Sequence, residues 1–341
     1  MSAAILVCIL MAILLVAGAT YQSLGAAADA RRFPPPGRLV DAGGFRLHLH
    51  EAGAGDGPVV VLEAGIAASS LSWSLVHPEV AKFARVIRYD RAGLGWSDAA
   101  PGPRTAAKSA EELAALLENA GIRGPYVLVG HSFGGYVARI FAANFPGRVA
   151  GLVLVDSPST SDWIPLRASE KRRLQGGALF SRIGAVLASL GVVRFCLARL
   201  SAGSARLPVL VTRSFGRSAL TVVGRLVGEV QKLPVEVWPQ VQAHWCQPKS
   251  FRSMANHLAH LPESAVHVEA AIAPGKIPLL VLTASEPSPE RLAAQQSVAE
   301  LSPRGKLVVA EKSGHWIHLD APELVVAAIH EVWLAARGDR S

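Results

Sequence analysis

Short apolar runs alternate with segments of helical period along most of this chain. The apolar runs are continuous, as in strands buried on both faces of a sheet, and the segments between them carry apolar residues on one helical face. Strands are predicted at residues 58–65, 85–90, 125–130, 149–156, 277–284 and 306–311, and helices at 105–120, 134–145 and from near Asp320 onward. A hairpin over residues 38–53, with Gly43 and Gly44 at its turn, precedes them. This alternation predicts an α/β fold with a mostly parallel, doubly wound sheet.

The alternation stops at Ser157 and returns at residue 277. The intervening segment, 157–276, has helical periodicity and is rich in Arg, Leu and Gly. The strands on either side must belong to one sheet, because neither half alone completes it. We therefore predict one core domain, formed by residues 38–156 and 277–341. Residues 157–276 are predicted as a helical cap, inserted over the sheet edge where α/β folds carry their sites.

The N-terminal segment has a different character. Residues 3–19 are apolar or small and carry no charge, and as a helix they just span the ~30 Å hydrocarbon core of a bilayer. We predict a transmembrane anchor over residues 1–20, which makes the chain a single-pass membrane protein. The alternative is a signal segment, cleaved near the A-x-A pattern at 26–30, which would leave a secreted or periplasmic protein. Residues 21–37, ending in RRFPPPG, are predicted as a linker.

The composition is that of a folded protein with an uneven positive charge. Of the 341 residues 50% are hydrophobic, which excludes disorder for most of the chain, and the net charge is +8. Between Ser157 and Leu233 twelve Lys or Arg residues face three acidic ones, which favours an anionic partner such as a membrane surface. No nucleic-acid-binding module accompanies this charge. The separated cysteines Cys8, Cys196 and Cys246 show no metal-ligand spacing, and we predict neither a metal nor another cofactor.

The stretch LVGHSFGGYVARIF, residues 128–141, places a serine where a predicted strand becomes a helix. Ser132 is the centre of a G-x-S-x-G motif whose glycines leave room for a sharp turn, and this turn exposes the hydroxyl above the sheet edge. Ser132 is therefore predicted as a nucleophile, the alternative being a serine that only caps the helix. The amide of Phe133, at the helix N-terminus, is predicted as one oxyanion donor. The amide of Ile66 is predicted as the second, because Gly65 permits a sharp bend after its strand.

A serine hydroxyl needs a base, and the loop after the last predicted strand supplies two histidines. In EKSGHWIHLDAPE, residues 311–323, His315 directly follows the strand and is the predicted base, with His318 as the alternative. Two acids that end strands of the same sheet remain open as the group that orients the imidazole. Asp156 lies tight against its strand and is favoured over Glu286, which stands in the exposed turn TASEPSPE.

With these motifs the chain resembles the α/β-hydrolase superfamily over residues 38–156 and 277–337. The resemblance rests on GHSFGG around the serine, EAGI after the third strand, YDRAGLGWSD after the fourth, and SGHWIHLDAPE around the histidine. It implies the α/β-hydrolase fold and a structural role for the YDRAGLGWSD turn, where Arg91 is expected to pair with Asp98. The chain departs from many members at Ala64-Gly65, where they have His-Gly, and it lacks their aspartate after the penultimate strand.

The resemblance also bears on the acid and the reaction. One branch of the related haloalkane dehalogenases has its acid at the end of the strand after the nucleophile helix, and GLVLVD is similar to that arrangement, which favours Asp156. Dehalogenases and epoxide hydrolases use an aspartate nucleophile, whereas Ser132 points to acyl transfer. We predict a hydrolase that cleaves a hydrophobic small-molecule carboxylic ester through a Ser-His-Asp triad and an acyl-enzyme. The alternatives are cleavage of amide, lactone or carbon–carbon bonds, and a binding or receptor protein of the same fold with little turnover.

Overall fold

The computed structural model describes residues 2–201, 229–271 and 275–338, and within them eight strands form one central sheet. The strands are β1 (Arg38–Asp41), β2 (Arg46–Ala52), β3 (Val59–Glu63), β4 (Val86–Tyr89), β5 (Tyr126–His131), β6 (Val149–Val155), β7 (Leu279–Ala284) and β8 (Gly305–Ala310). Their order across the sheet is β1-β2-β4-β3-β5-β6-β7-β8. β1 with β2, and β2 with β4, pair antiparallel, whereas the strands from β4 to β8 pair in parallel. The mostly parallel sheet predicted from the sequence is confirmed.

The predicted hairpin is formed by β1 and β2 at one edge of the sheet. Its turn needs glycine, because Gly43 has a φ of 106° and Gly44 a φ of 93°, a backbone region that side chains with a Cβ rarely adopt. Asp41 accepts a hydrogen bond at Oδ1 from the Gly43 amide at 3.0 Å, which closes the turn.

The described helices cover both faces of the sheet and also form the N-terminal and inserted segments. They are α1 (Ala3–Arg32), α2 (His77–Val80), α3 (Ala106–Asn119), α4 (Phe133–Asn144), α5 (Ala168–Ser189), α6 (Val192–Ser201), α7 (Trp238–Trp245), α8 (Pro248–Ala259), α9 (Leu261–Glu269), α10 (Pro289–Ala299), α11 (Ile317–Asp320) and α12 (Pro322–Gly338). Leu116 of α3 and Phe141 of α4 are fully buried in the core on one face. Ile329 and Trp333 of α12 are buried in the core on the other. Coverage of both faces is the doubly wound arrangement that the sequence predicted.

The segment between β6 and β7, predicted as the cap, holds helices α5 to α9 in its described part. α5 packs along α8 so closely that a Cβ at Gly184 would lie 2.6 Å from the ring of Phe251. α9 joins the core on the α3 and α4 side, where Leu261 and Ala265 are buried. Residues 202–228 and 272–274 of this segment lie outside the described residues.

The N-terminal helix is longer than the sequence pattern predicted. α1 continues to Arg32, so residues 21–32, predicted as linker, are helical, and only 33–37 with their three prolines leave the helix. The alanine-rich stretch before Arg32 favours helix, and polar side chains of this part have partners on the inserted helices. Among the described helices α1 is the one that is long and apolar enough by itself to cross a membrane, a test that a signal sequence also passes. α5 and α6 pass it only as a pair, and they meet at a bend of 89°.

Candidate active site

Ser132 stands at the sharp turn between β5 and α4, where the sequence predicted it. Its φ of 52° and ψ of −122° lie in a region that residues other than glycine rarely adopt. The turn depends on the flanking glycines, since a Cβ at Gly130 would lie 2.4 Å from the Gly134 carbonyl oxygen. A Cβ at Gly134 would likewise lie 2.5 Å from the carbonyl oxygen of Glu63. The strained turn therefore exposes the hydroxyl where a flat strand end would not.

His315 reaches the site on a loop that crosses back over the sheet edge. After β8, the Ser313 carbonyl oxygen accepts a hydrogen bond at 2.9 Å from the amide of Ser285, which follows β7. Two residues later, His131 at the end of β5 donates from Nε2 to the His315 carbonyl oxygen at 2.9 Å. Burial holds the pKa of His131 well below its usual value, so this ring is neutral and carries its proton on the donating Nε2. As a result His315 and Ser132 line the same cavity.

Asp156, which directly follows β6, contacts His315. Its Oδ2 accepts a hydrogen bond from His315 Nδ1 at 2.5 Å. Its Oδ1 accepts bonds from the Ala284 amide at 3.1 Å and from Arg291 Nη2 at 2.9 Å. Burial alone would raise the pKa of Asp156, but the bond from His315 and the charge of Arg291 outweigh it, so this pKa lies below its usual value. The carboxylate is therefore ionised and held against the imidazole.

The alternative acid and the alternative base lie in other surroundings. Glu286 is exposed, and within the described residues it makes no hydrogen bond or ion pair with His315. His318 is fully buried, with its ring 4.7 Å from that of Trp73, and in the described part of the chain neither ring nitrogen has a hydrogen-bond partner. Burial lowers the pKa of His318 to about 3. The structure thus pairs Asp156 with His315 in the cavity that Ser132 also lines, and leaves Glu286 and His318 out of that pair.

Both residues whose amides were predicted as oxyanion donors line the cavity beside the serine. Ile66 lies in the turn after β3, and Phe133 is the first residue of α4, where helix amides have no acceptor of their own. Across residues 2–201, 229–271 and 275–338, neither amide donates to a protein acceptor. Two residues with free amides that line the same cavity are candidates to bind an anionic oxygen.

A buried arginine lies beneath these two donors. Arg91 donates from Nη2 to the Gly65 carbonyl oxygen at 2.6 Å and from Nη1 to that of Ala64. Its guanidinium forms an ion pair with Glu63, and lies 5.3 Å from the centre of the Phe133 ring. Tyr89 also donates to the Glu63 carboxylate. The carbonyls that precede Ile66 are therefore fixed to the same side chain that contacts Phe133.

This arrangement corrects the expected pairing of Arg91 with Asp98. Asp98 is 39% exposed and pairs instead with Arg46 at 2.9 Å. Arg91 turns inward because Glu63, only 3% exposed at its side chain, carries a buried carboxyl that needs a counter-charge.

The cavity has a volume of about 880 Å³ and lies between the sheet edge and the inserted helices. The core contributes Ser132 and His315, and the segment after β6 contributes Trp163, Arg173 and Leu261. The guanidinium of Arg173 lies 5.7 Å from the centre of the Trp163 ring. In the described parts of the chain, no group of three or more His, Cys, Asp or Glu side chains is arranged to hold a metal ion.

Sequence reasoning missed Arg291 and the inward contacts of Arg91. Arg291 lies in the first turn of α10, and it reaches Asp156 because the strand before α10, β7, neighbours β6. The sequence signal for this contact is a basic residue that shortly follows one strand, when the neighbouring strand of the sheet ends in a candidate acid. For Arg91, the signal was a strand-terminal acid, Glu63, on the strand that pairs with β4.

Known proteins are similar to this chain in sequence or in fold. A model of the alpha/beta hydrolase family matches residues 47–328. Uncharacterized protein YqjL of Bacillus subtilis is 26% identical over 300 residues, 86% of this chain and 90% of YqjL. The 2-hydroxy-6-oxo-2,4-heptadienoate hydrolase of Pseudomonas putida is 36% identical over 127 residues, 37% of this chain and 46% of that protein. A thermophilic esterase from Thermogutta terrifontis superposes with a TM-score of 0.56 at 22% identity, covering 88% of this chain and 98% of that one.

Proposed function

Because this chain belongs to the alpha/beta hydrolase family, we propose that it is a serine hydrolase that cleaves a carboxylic ester of a hydrophobic small molecule. One observation carries the proposal: His315 Nδ1 lies 2.5 Å from the carboxylate of Asp156, in a cavity that also holds the strained Ser132. An imidazole fixed at Nδ1 keeps Nε2 unprotonated and available to a hydroxyl, which is the arrangement of a nucleophile, a base and an orienting acid.

The residues then take the following roles. His315 Nε2 accepts the proton of the Ser132 hydroxyl as its oxygen attacks the ester carbonyl carbon. The amides of Phe133 and Ile66 bind the oxyanion that forms. The same imidazole, now protonated, gives its proton to the leaving alcohol, and an acyl-enzyme remains. Water, deprotonated by His315, releases the acid and restores the hydroxyl, while ionised Asp156 stabilises the imidazolium in both halves of the reaction.

The esterase from Thermogutta terrifontis shows that this fold can carry ester hydrolysis. A second candidate is hydrolysis of a carbon–carbon bond next to a carbonyl. It is favoured by 36% identity over 127 residues to the 2-hydroxy-6-oxo-2,4-heptadienoate hydrolase of Pseudomonas putida. The two reactions use the same nucleophile and base, so the substrate range has to separate them.

The test combines active-site labelling with turnover. A fluorophosphonate probe should label the full-length protein and fail to label Ser132→Ala, and p-nitrophenyl esters should be hydrolysed by the native chain and not by Ser132→Ala. Ser161→Ala is the matched control, because Ser161 lines the same cavity but lies outside the strained turn. Labelling of Ser132 without ester turnover would support the receptor or carbon–carbon alternative, and assay with a 2-hydroxy-6-oxo-dienoate would separate those two. Equal labelling of Ser132→Ala would contradict the proposal.

We also propose that α1 is an uncleaved membrane anchor, so that the protein is a single-pass membrane protein. The support is its length and its apolar composition over residues 3–19. Carbonate extraction should leave the native chain in the membrane pellet, and the mass of the purified protein should include residues 1–32. A mass that corresponds to a chain starting after the alanines at 26–30 would support the signal-segment alternative and a secreted or periplasmic location.

A further inference from the structure

The C-terminal half of α1 contacts the inserted helices, mainly at the corner where α5 meets α6. A Cβ at Gly18 would lie 2.5 Å from the Leu190 carbonyl oxygen, so the two helices are in backbone contact there. Gln22 donates to the Cys246 carbonyl oxygen at 2.9 Å. Arg194 of α6 forms an ion pair with Asp29 at 2.6 Å. Residues 2–17 are all exposed, so the apolar part of α1 leaves the protein body at the α5–α6 corner.

Large apolar side chains are exposed at the same corner. On α5, Leu179, Ile183 and Val186 are 57%, 42% and 60% exposed, and their spacing places them on one helical face. On α6, Val192 and Phe195 are 40% and 50% exposed. We call these five residues the corner face. A cluster of this kind on the surface of a folded domain marks an interaction site.

The opposite side of α5 already has its partner, because Leu174, Ala178, Ala185 and Ala188 are buried. The corner face is therefore the outer side of a helix whose inner side is already packed. Its exposure does not result from a helix turned away from the core. Where α1 crosses it, a cavity of about 330 Å³ lined by Tyr21, Leu190, Val192 and Phe195 continues the apolar surface up to α1.

The charge around the corner face suits an anionic surface. Residues 168–200 contain six basic side chains and one acidic one, Glu170. Among the basic ones Arg172, Arg182 and Arg199 are exposed. Apolar side chains flanked by arginines are the composition of helices that lie in the interface of anionic bilayers.

We propose that the corner face rests in the headgroup region of the bilayer that α1 enters, with the exposed arginines contacting anionic lipids. The membrane is favoured over other occupants because α1, the helix able to enter it, emerges directly beside the face. The inserted helices would then be held at the membrane by two adjacent contacts, and their orientation to the bilayer would be fixed. This proposal rests on the proposed anchoring by α1; it concerns a surface apart from the cavity and does not depend on the reaction.

The experiment places a fluorescent probe on the corner face of the full-length chain. Ile183→Cys, Phe195→Cys and, as a matched control, Leu334→Cys are labelled in a background lacking Cys8 and Cys196; Leu334 is an apolar residue of α12 that is 49% exposed. Cys246 can stay, because it is buried and burial raises the pKa of its thiol to about 11. Each protein is reconstituted in phosphatidylcholine vesicles with or without phosphatidylglycerol. Quenching is measured with iodide in the water and with a nitroxide carried on the lipid near its headgroup.

The expected result is that probes at Ile183 and Phe195 lose fluorescence to the lipid nitroxide and resist iodide, whereas the Leu334 probe does the reverse. Lipid quenching should increase when phosphatidylglycerol is present, and equal quenching without it would overturn the role given to the arginines. Two outcomes would overturn the membrane contact itself. Iodide quenching at all three positions would mean an open surface. Protection from both quenchers would mean that protein, such as a second copy of the chain, covers the face.

Discussion

Arg91 contacts both arms of the proposed oxyanion hole, and its replacement is the sharpest test of the site. It holds the Gly65 carbonyl oxygen at 2.6 Å, directly before Ile66, and packs against the ring of Phe133. Arg91→Met preserves much of the side chain's bulk but removes every donor. We expect both the free energy of unfolding and kcat to fall, for two separate reasons.

The loss of stability follows from the ion pair with Glu63. Both side chains are 3% exposed, and removing one partner of such a buried pair costs about 3–5 kcal/mol. Domains are typically stable by about 5–15 kcal/mol, so the variant should remain folded at low temperature. Burial raises the pKa of Glu63 and Arg91 opposes that rise, so the penalty comes from the carboxylate left unpaired. Glu63→Gln combined with Arg91→Met should therefore recover most of the lost stability.

The loss of activity should persist in the double variant. Without Arg91 the carbonyls of Ala64 and Gly65 lose their donors, and the turn that carries the Ile66 amide is free to shift. Loss of one oxyanion donor, or its displacement by about 1 Å, lowers kcat roughly 100-fold. We expect p-nitrophenyl ester kcat about 100-fold below native in both the single and the double variant.

A second buried ion pair provides the control. Arg104 and Glu112 lie 2.8 Å apart, each with a side chain 4% exposed, and neither lines the cavity. Arg104→Met should lose a similar free energy of unfolding in urea titrations while keeping kcat at a temperature where it is folded. Two results would refute the reasoning: native kcat in Arg91→Met, or an equal loss of kcat in Arg104→Met. The first result would show that Arg91 has no part in catalysis. The second would show that the loss of kcat in Arg91→Met follows from the loss of stability alone.

Three further predictions concern the acid, its partner and a buried histidine. Asp156→Asn should lower kcat by about 10³–10⁴ and Glu286→Gln should leave it unchanged, in ester hydrolysis assays; the reverse order would assign the acid to Glu286. Arg291→Met removes a charge that lowers the pKa of Asp156, so the pKa of this carboxyl, followed by carbon-13 NMR, should be higher than in the native chain; an unmoved pKa would contradict the contact. His318 has a folded pKa of about 3, below its unfolded value of 6.5, so its contribution to stability is present above pH 6.5 and is lost as the pH falls toward 3. At pH 5 the loss is about 2 kcal/mol, so His318→Phe should lose about 2 kcal/mol less than the native chain between pH 7 and pH 5 in urea unfolding, and an identical loss would show that the ring is protonated in the folded state.

Local pattern was sufficient for the sheet and for the serine turn. The strands are short apolar runs, and the turn at Ser132 needs glycines two residues to either side, so sequence and structure carry the same information there. Local pattern could not identify the acid. Asp156 and Glu286 follow adjacent strands, β6 and β7, so by topology either could orient the imidazole. What separates them is the course of the His315 loop, and this depends on contacts between residues more than 25 positions apart.

Proximity along the chain misled the prediction for Arg91. Asp98 is seven positions away in the same turn, whereas Glu63 is 28 positions upstream on a neighbouring strand. Burial decides the competition, because an exposed carboxylate loses little without a partner and a buried one loses much. The continuation of the N-terminal helix over residues 21–32 was missed for a similar reason. The sequence shows an alanine-rich stretch after an apolar run, but not the inserted helices against which it packs.

The three residues of the proposed triad follow β5, β6 and β8. Their mutual distances therefore depend on the main-chain path of the segments that carry them. That path is set by groups without a chemical role: the Ser285 amide that holds the carbonyl of Ser313, and the His131 ring that holds the carbonyl of His315. Both bonds end on the main chain, so they fix the path of the loop whatever side chains it carries. It follows that a hydrolase of this fold can exchange its substrate-facing residues freely while the loop course stays the same. The substrate of this chain must therefore be sought in the side chains of the 880 Å³ cavity, such as Trp163 and Arg173, rather than in the triad.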